Sequence, residues 1–143
     1  FMNKARAFLG LEDTRSAIGE FNKAIELDPK NADAYYNRAV LREELEDYQS
    51  AVLDYNKVIS LNANDAAAYY NRATCKSMLD DYGAGISDLD EAIRINPKNA
   101  DYYKQRGNFY YQMQNREKAC FDWRKAVEFG DAKARFQIEQ YCK

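Results

Sequence analysis

The chain has 143 residues, and its 21 Lys and Arg residues stand against 23 Asp and Glu residues, a formal net charge of -2. This balance argues against a nucleic-acid binder, which usually has a basic excess or patch. Apolar residues make up 46% of the chain, which argues against intrinsic disorder, and no apolar run approaches the ~18 residues of a membrane span.

The cysteine and histidine counts limit the chemistry. Cys75, Cys120 and Cys142 are an odd number with no paired spacing, which favours buried thiols in a reducing, cytoplasmic compartment over a disulfide or metal framework. Histidine is absent from the sequence, which removes the usual general base and the commonest zinc ligand. The sequence therefore predicts no enzyme, no metal site and no cofactor.

A period of 34 residues organises the chain. Residues 35–39, Tyr-Tyr-Asn-Arg-Ala, recur letter for letter at 69–73. Further columns of like residues keep the same spacing, and such a period is typical of stacked-repeat proteins. These columns define four repeat units at about 1–31, 32–65, 66–99 and 100–131. We expect the whole chain, 1–143, to form a single domain.

Each unit is predicted to contain two helices, because apolar residues recur at helical spacing on both sides of a short turn. In the first unit, a shortened helix ends at about Leu9 and a second helix covers 14–27. In the later units the predicted helices are 32–45 and 48–61, 67–79 and 82–95, and 101–113 and 116–129. Asp47 is the expected N-cap of one of them. A last amphipathic helix at about 131–142 suits the terminal cap that a repeat array needs.

Three sets of residues recur in all four units. Aromatic residues open the first helices at Phe1, Tyr35, Tyr69 and Tyr103. Small residues follow at Ala5, Ala39, Ala73 and Gly107. The second helices carry Ala17/Phe21/Ala24, Ala51/Tyr55/Val58, Gly85/Leu89/Ala92 and Ala119/Trp123/Ala126.

This pattern resembles that of the tetratricopeptide repeat (TPR) family, in which proline closes the unit as Pro29 and Pro97 do here. The resemblance implies an all-α fold: a right-handed α-α superhelix (solenoid) of four helical hairpins and a C-terminal capping helix. It is specific for the fold and only weakly specific for function.

One departure from the family pattern predicts a ladder of ion pairs. The position before the small residue, usually leucine in the family, is basic here, and an acid follows 16 residues later. The expected pairs are Arg38–Asp54, Arg72–Asp88 and Arg106–Asp122, partly buried between helices. The alternative is that each arginine pairs with the aspartate of the preceding unit.

The resemblance also implies that the first helices line a concave, ligand-binding face. The residues expected to bind a peptide there are Arg6, Tyr36, Asn37, Tyr70, Asn71, Thr74, Lys104 and Asn108. Asparagine amides can hold the backbone of an extended peptide, and tyrosine offers a rigid face with a polar tip. The alternative is that these residues are repeat consensus, kept by duplication.

The function expected is therefore a non-catalytic scaffold that binds a protein or peptide, either an extended peptide or a partner helix. The alternative is self-association, as a structural module of a larger repeat protein, through an uncapped first unit that leaves Phe1 and Phe8 for another copy. One TPR subclass grips a C-terminal carboxylate with lysine, asparagine and arginine. We expect no such clamp, because only Asn37 of that set is present. A chain that begins with Phe1 inside a repeat is expected to be a fragment or a processed product.

Overall fold

Polar turns divide the chain into helices. The structure is a computed structural model that describes the backbone of residues 2–143 and the side chains of residues 10–143. The helices are α1 (Met2–Leu27), α2 (Ala32–Glu44), α3 (Tyr48–Leu61), α4 (Ala66–Met78), α5 (Tyr82–Ile95), α6 (Ala100–Gln112), α7 (Arg116–Glu128) and α8 (Arg135–Tyr141). A 3-10 turn, Ala132–Ala134, leads into α8. Residues 2–143 contain no strand, and the all-α fold expected from the sequence is confirmed.

A carboxylate or amide side chain begins each of the helices α2 to α7. The side-chain oxygen accepts a hydrogen bond from a backbone N–H of the first turn, which would otherwise have no partner inside the helix. The capping residues are Asn31, Asp47, Asp65, Asp81, Asn99 and Asn115. The prediction that Asp47 is an N-cap is confirmed.

The turn between the two helices of a repeat has the same backbone conformation in the last three repeats. Glu46, Asp80 and Gln114 have φ angles of 60°, 62° and 63°. Each has the left-handed backbone conformation, which is common in a residue that follows the C-terminus of a helix. The next residue then donates its N–H to a carbonyl five residues back, as Asp47 does to Arg42 at 2.8 Å. These turns reverse the chain and make the hairpins.

The first repeat differs from the expectation, because α1 is one continuous helix with no break between Leu9 and Thr14. Residues 11–13 have the same sequence, Leu-Glu-Asp, as the turn at 45–47. A left-handed non-glycine residue costs about 1–3 kcal/mol, so the turn forms only where packing offsets that cost. In α1 the backbone stays helical instead, and the Thr14 hydroxyl donates to the Gly10 carbonyl at 2.7 Å.

The chain divides into two compact units, which we describe separately. Unit 1 extends to Ala63 and contains α1, α2 and α3. Its fully buried side chains include Ala39 of α2 and Ala51, Tyr55 and Val58 of α3. The small and aromatic columns of the repeat are thus the core of this hairpin.

Unit 2 begins at Asn64 and contains α4 to α8. Leu89 and Ala92 of α5 and Phe109 of α6 are buried in one cluster, and Trp123 of α7 is buried in another. A Cβ atom added to Gly107 would lie 2.9 Å from Cδ1 of Trp123. The small-residue column therefore lets two helices approach closely enough for one to pack on the indole of the other.

The expectation that all three cysteines are thiols is wrong at the end of unit 2. Cys120 of α7 and Cys142, after α8, form a disulfide, while Cys75 lies outside this bond and is buried. The two cysteines are 22 residues apart, a spacing that does not by itself indicate a disulfide. They meet because the chain reverses at Gly130 and α8 packs back onto α7. Disulfides persist mainly in oxidising compartments, so the argument for a cytoplasmic location no longer holds. Among the described residues, no helix is both long and apolar enough to cross a membrane.

Candidate functional site

The first helices of unit 2, α4 and α6, meet through a few aromatic and polar contacts. The ring centroids of Tyr70 and Tyr102 are 5.2 Å apart. One turn further along, Nε2 of Gln105 donates a hydrogen bond to Oγ1 of Thr74 at 3.1 Å. We call one set of residues on these two helices the first-helix face: Tyr70, Asn71, Thr74, Lys104, Gln105 and Asn108.

Neighbouring groups hold three of these side chains in place. The Thr74 hydroxyl donates to the Tyr70 carbonyl at 3.2 Å, while its oxygen accepts from Gln105. The indole Nε1–H of buried Trp123 donates to Oδ1 of Asn108 at 3.0 Å. The amides of Gln105 and Asn108 are therefore fixed in orientation by the protein itself.

Lys104 is the only ionic residue of the first-helix face, and its charge is compensated. Its ammonium nitrogen lies 3.5 Å from a carboxylate oxygen of Asp131. Asp131 also caps the 3-10 turn before α8. The face as a whole therefore offers amides, hydroxyls and a ring rather than net charge.

The phenol of Tyr70 is held in its neutral form. Burial raises its pKa above the ordinary value, and the negative charge of Asp101 raises it further. Around neutral pH, Tyr70 therefore keeps a hydroxyl that can donate a hydrogen bond.

In unit 1, α2 carries two of the residues predicted to bind a peptide. Tyr36 is half-buried and packs edge-on against Tyr55, with ring centroids 5.7 Å apart, while Asn37 is exposed. The predicted peptide-binding residue Arg6 lies outside the residues whose side chains the structure describes. So do Phe1 and Phe8, on which the self-association alternative depended. The roles expected of these three residues stay predictions.

The ion pairs predicted from the 16-residue spacing are all present, each within one 34-residue repeat. Each guanidinium donates two hydrogen bonds to one carboxylate, and the shorter N–O distances are 2.6 Å for Arg38–Asp54, 2.6 Å for Arg72–Asp88 and 2.8 Å for Arg106–Asp122. The three aspartates are 2%, 4% and 1% exposed. Their contribution to stability stays a prediction.

Further groups surround each pair. A tyrosine ring lies under each guanidinium, at 5.5 to 5.6 Å from the ring centroid: Tyr35, Tyr69 and Tyr103. A second cation reaches two of the carboxylates, Arg42 at 2.9 Å from Asp54 and Lys76 at 3.0 Å from Asp88. Arg106 also donates to Asp90 of the preceding repeat at 2.9 Å, but Asp90 is not one of the aspartates of the predicted ladder.

Burial and hydrogen bonding act in opposite directions on the Arg106–Asp122 pair. Burial raises the pKa of the Asp122 carboxyl, although Arg106 opposes the shift. Burial would lower the pKa of Arg106, but its bonds to Asp122 and Asp90 outweigh it and raise that pKa. The Arg106 guanidinium is therefore held in place by both Asp122 and Asp90.

Sequence reasoning missed the groups that support the first-helix face. Trp123 was assigned to a packing column, yet a buried indole N–H usually finds an acceptor, and that rule points to Asn108. Thr74, predicted to bind ligand, uses its hydroxyl to hold Gln105 and Tyr70. The ion pair between Lys104 and Asp131 had no sequence signal.

A cavity of about 360 Å³ opens one helical turn after Asn108. It is lined by Tyr111 and Gln112 of α6, Gln114 of the following turn and Arg116 of α7. The Tyr111 ring packs on Tyr141 of α8, with centroids 4.6 Å apart. The cavity extends the polar and aromatic surface of α6 toward its C-terminus.

Comparison with family models decides the classification. Two tetratricopeptide repeat models match, one over residues 2–66 and the other over residues 66–99. The chain belongs to the tetratricopeptide repeat family. A comparison with curated proteins finds no match.

Solved structures of TPR proteins resemble the chain. The crystal structure of MamA has a TM-score of 0.80 and 26% identity, and the match covers 85% of this chain and 71% of that one. The first TPR of Spaghetti (RPAP3), bound to the HSP90 peptide SRMEEVD, has a TM-score of 0.74 and 20% identity over 80% of this chain and 93% of its own. The Arabidopsis OM64 TPR domain has a TM-score of 0.72 and 22% identity over 77% and 93%. At these identities the last two show the TPR fold alone.

Proposed function

We propose that this TPR chain is a non-catalytic interaction module whose first-helix face in unit 2 binds an extended peptide. Membership of the family supports a role in protein–protein interaction. The observation that carries the finer proposal is the row of fixed polar groups that α4 and α6 present together, joined by the Gln105–Thr74 hydrogen bond. Fixed groups lose little conformational freedom on binding, which favours affinity.

The composition of the face favours recognition of the peptide backbone. Asn71, Gln105 and Asn108 supply amides that can donate and accept hydrogen bonds. Tyr70 adds an aromatic ring of the kind that dominates binding energy at interfaces. In unit 1, Tyr36 and Asn37 occupy the same repeat positions on α2 as Tyr70 and Asn71 do on α4.

A relative offers a parallel, and this chain departs from it. The RPAP3 domain is bound to the HSP90 peptide SRMEEVD. This chain has Asn37 but lacks the lysine and arginine partners expected of a carboxylate clamp, and its Lys104 pairs with Asp131. We therefore propose an internal, extended peptide segment as the ligand rather than a free C-terminus.

Selection from a phage-displayed peptide library against the intact chain tests this function. Selected peptides should bind the wild type and bind Tyr70→Ala/Asn71→Ala at least about tenfold more weakly, a loss of ~1.4 kcal/mol or more. Ser87→Ala, on the exposed side of α5, is the matched control and should bind as the wild type does. If the selected peptides bound all three proteins equally, the proposed face would be wrong.

A second binding experiment separates an internal segment from a free C-terminus. The peptide SRMEEVD, with a free carboxylate or as a C-terminal amide, should bind weakly in both forms. A clear preference for the free acid would show that a carboxylate site exists after all. Both experiments use synthetic peptides, so they can be carried out before the natural partner is identified.

A further inference from the structure

Two amides on α6, one helical turn apart, are locked in opposite orientations. Gln105 uses its nitrogen to donate to Thr74, and Asn108 uses its oxygen to accept from Trp123. Residues three apart on a helix are neighbours on its surface. The atoms they still offer are therefore unlike: the oxygen Oε1 of Gln105 and the nitrogen Nδ2 of Asn108.

The chemistry of the supporting groups fixes both orientations. An indole nitrogen can only donate, so Trp123 must face the amide oxygen of Asn108. The Thr74 hydroxyl proton goes to the Tyr70 carbonyl, so its oxygen accepts from the amide nitrogen of Gln105. Rotating the Asn108 amide by half a turn would set two donors against each other. Rotating the Gln105 amide would require the Thr74 hydroxyl to give up its bond to the Tyr70 carbonyl.

We propose that Gln105 and Asn108 form a preset acceptor–donor pair that binds the main-chain N–H and C=O of one residue of an extended peptide. Asn108 Nδ2 donates to the carbonyl of the peptide, and Gln105 Oε1 accepts from an N–H of its backbone. Thr74 and Trp123 act as positioning residues that do not touch the ligand. This inference rests on the proposed function and names the group that the first-helix face recognises.

The absence of charge on the pair sets the ligand class. Neither amide titrates, and Lys104, the ionic neighbour on α6, is paired with Asp131 at 3.5 Å. An uncharged backbone segment satisfies the pair, whereas a carboxylate would satisfy only the donor. The ligand over this part of unit 2 is therefore a neutral stretch of extended chain.

The test uses a defined neutral probe, acetyl-Gly-Ala-Gly-Ala-Gly-methylamide, titrated into the intact chain and followed by NMR of side-chain and backbone amides. Esters that replace one peptide N–H by oxygen remove a donor while keeping the carbonyl. One ester should bind the wild type about fivefold more weakly. The same ester should cost nothing in Gln105→Met, because the acceptor is already gone, and this double-mutant cycle isolates the pair.

Variants of the second amide and of its support complete the test. Asn108→Asp keeps an oxygen for Trp123 and loses the donor, so the probe should bind at least about fivefold more weakly. Thr74→Val frees Gln105 and should lower the affinity, and Thr74→Ser should restore it. Circular dichroism and Trp123 fluorescence show whether each variant retains the fold.

The outcomes separate this inference from the proposed function. Shifts on α4 and α6, with the ester effect abolished by Gln105→Met, support both. Shifts on the same helices that neither the esters nor Asn108→Asp affect would overturn the pair and leave the first-helix face standing. No shift on α4 or α6 up to the solubility limit of the probe would overturn both.

Discussion

At the scale of single residues, three buried carboxylates distinguish this chain from the family pattern. Asp54, Asp88 and Asp122 each hold an arginine through two hydrogen bonds inside the hairpin. A buried pair is weak evidence of net stability, but the loss of one partner leaves a buried charge uncompensated. The 16-residue spacing predicted these pairs, because both residues recur at fixed places in a hairpin.

Asp88→Ala should lower the free energy of unfolding by about 3–5 kcal/mol, because Arg72 and Lys76 would lose their common carboxylate. Chemical denaturation followed by circular dichroism measures the change. Asp90→Ala is the matched control: Asp90 is half-exposed, so the loss of its bond to Arg106 should cost no more than about 1 kcal/mol. Equal effects of the two substitutions would show that burial does not matter here.

Two glycines should respond in opposite directions to alanine. Gly107→Ala should destabilise unit 2 by about 1–3 kcal/mol, because the new Cβ would lie 2.9 Å from the Trp123 ring and 3.1 Å from the Ala119 carbonyl oxygen. Gly83 has open space around its Cβ position, so Gly83→Ala should stabilise α5 by up to about 1 kcal/mol. Melting temperatures measure both, and a stabilising Gly107→Ala would contradict the close packing.

Alkaline pH should weaken the fold through Tyr70. Its folded pKa lies above the ordinary value of 10.0, so folding favours the neutral phenol. The stability it contributes is complete below pH 10.0 and is lost as the pH rises through the folded pKa. Tyr70→Phe, which cannot ionise, should lose less stability over that range than the wild type. Identical pH profiles of unfolding would contradict the burial of this hydroxyl.

At the scale of elements, sequence reasoning succeeded where a local signal and the packing agreed. Proline, N-caps and apolar spacing located α2 to α7 to within about one residue, because each hairpin repeats the same local chemistry. The same reasoning failed for α1. Residues 11–13 carry a turn sequence, but the sequence permits both a turn and a continuous helix, and only packing decides between them.

The disulfide is the second feature that local reasoning could not find, since it depends on how α8 folds back onto α7. Cys142→Ser should destabilise unit 2 by about 3 kcal/mol, the value expected for a closed loop of this size. Thermal unfolding measures the loss, and a dithiol reductant added to the wild type should reproduce it. A reductant that left the wild-type unfolding curve unchanged would show that the bond does not stabilise the end of unit 2.

The candidate site was predicted in part. The repeat frame located the residues of the first-helix face on α4 and α6, because the same positions recur in each repeat; that they bind a ligand stays a prediction. It could not supply their roles, which depend on contacts between different helices. Asn108 is oriented by Trp123 from α7, and Lys104 is neutralised by Asp131 beyond Gly130, so neither role follows from the local sequence.

At the scale of the whole molecule, we propose that this TPR chain recognises its ligand through the peptide backbone rather than through charge. Binding of a selected peptide should therefore change less than about twofold between low and high salt, because salt screens charges and leaves neutral hydrogen bonds nearly unaffected. Fluorescence anisotropy at several salt concentrations measures this. A steep loss of affinity with salt would point to ionic recognition.

The most direct test of the central claim is the affinity of one display-selected peptide for the wild type and for Asn108→Asp, measured by calorimetry under the same conditions. Asn108→Asp retains the acceptor for Trp123, so the fold should persist while the peptide binds at least about fivefold more weakly. Equal affinities for two equally stable proteins would contradict the claim that Asn108, held by Trp123, donates a hydrogen bond to the peptide backbone.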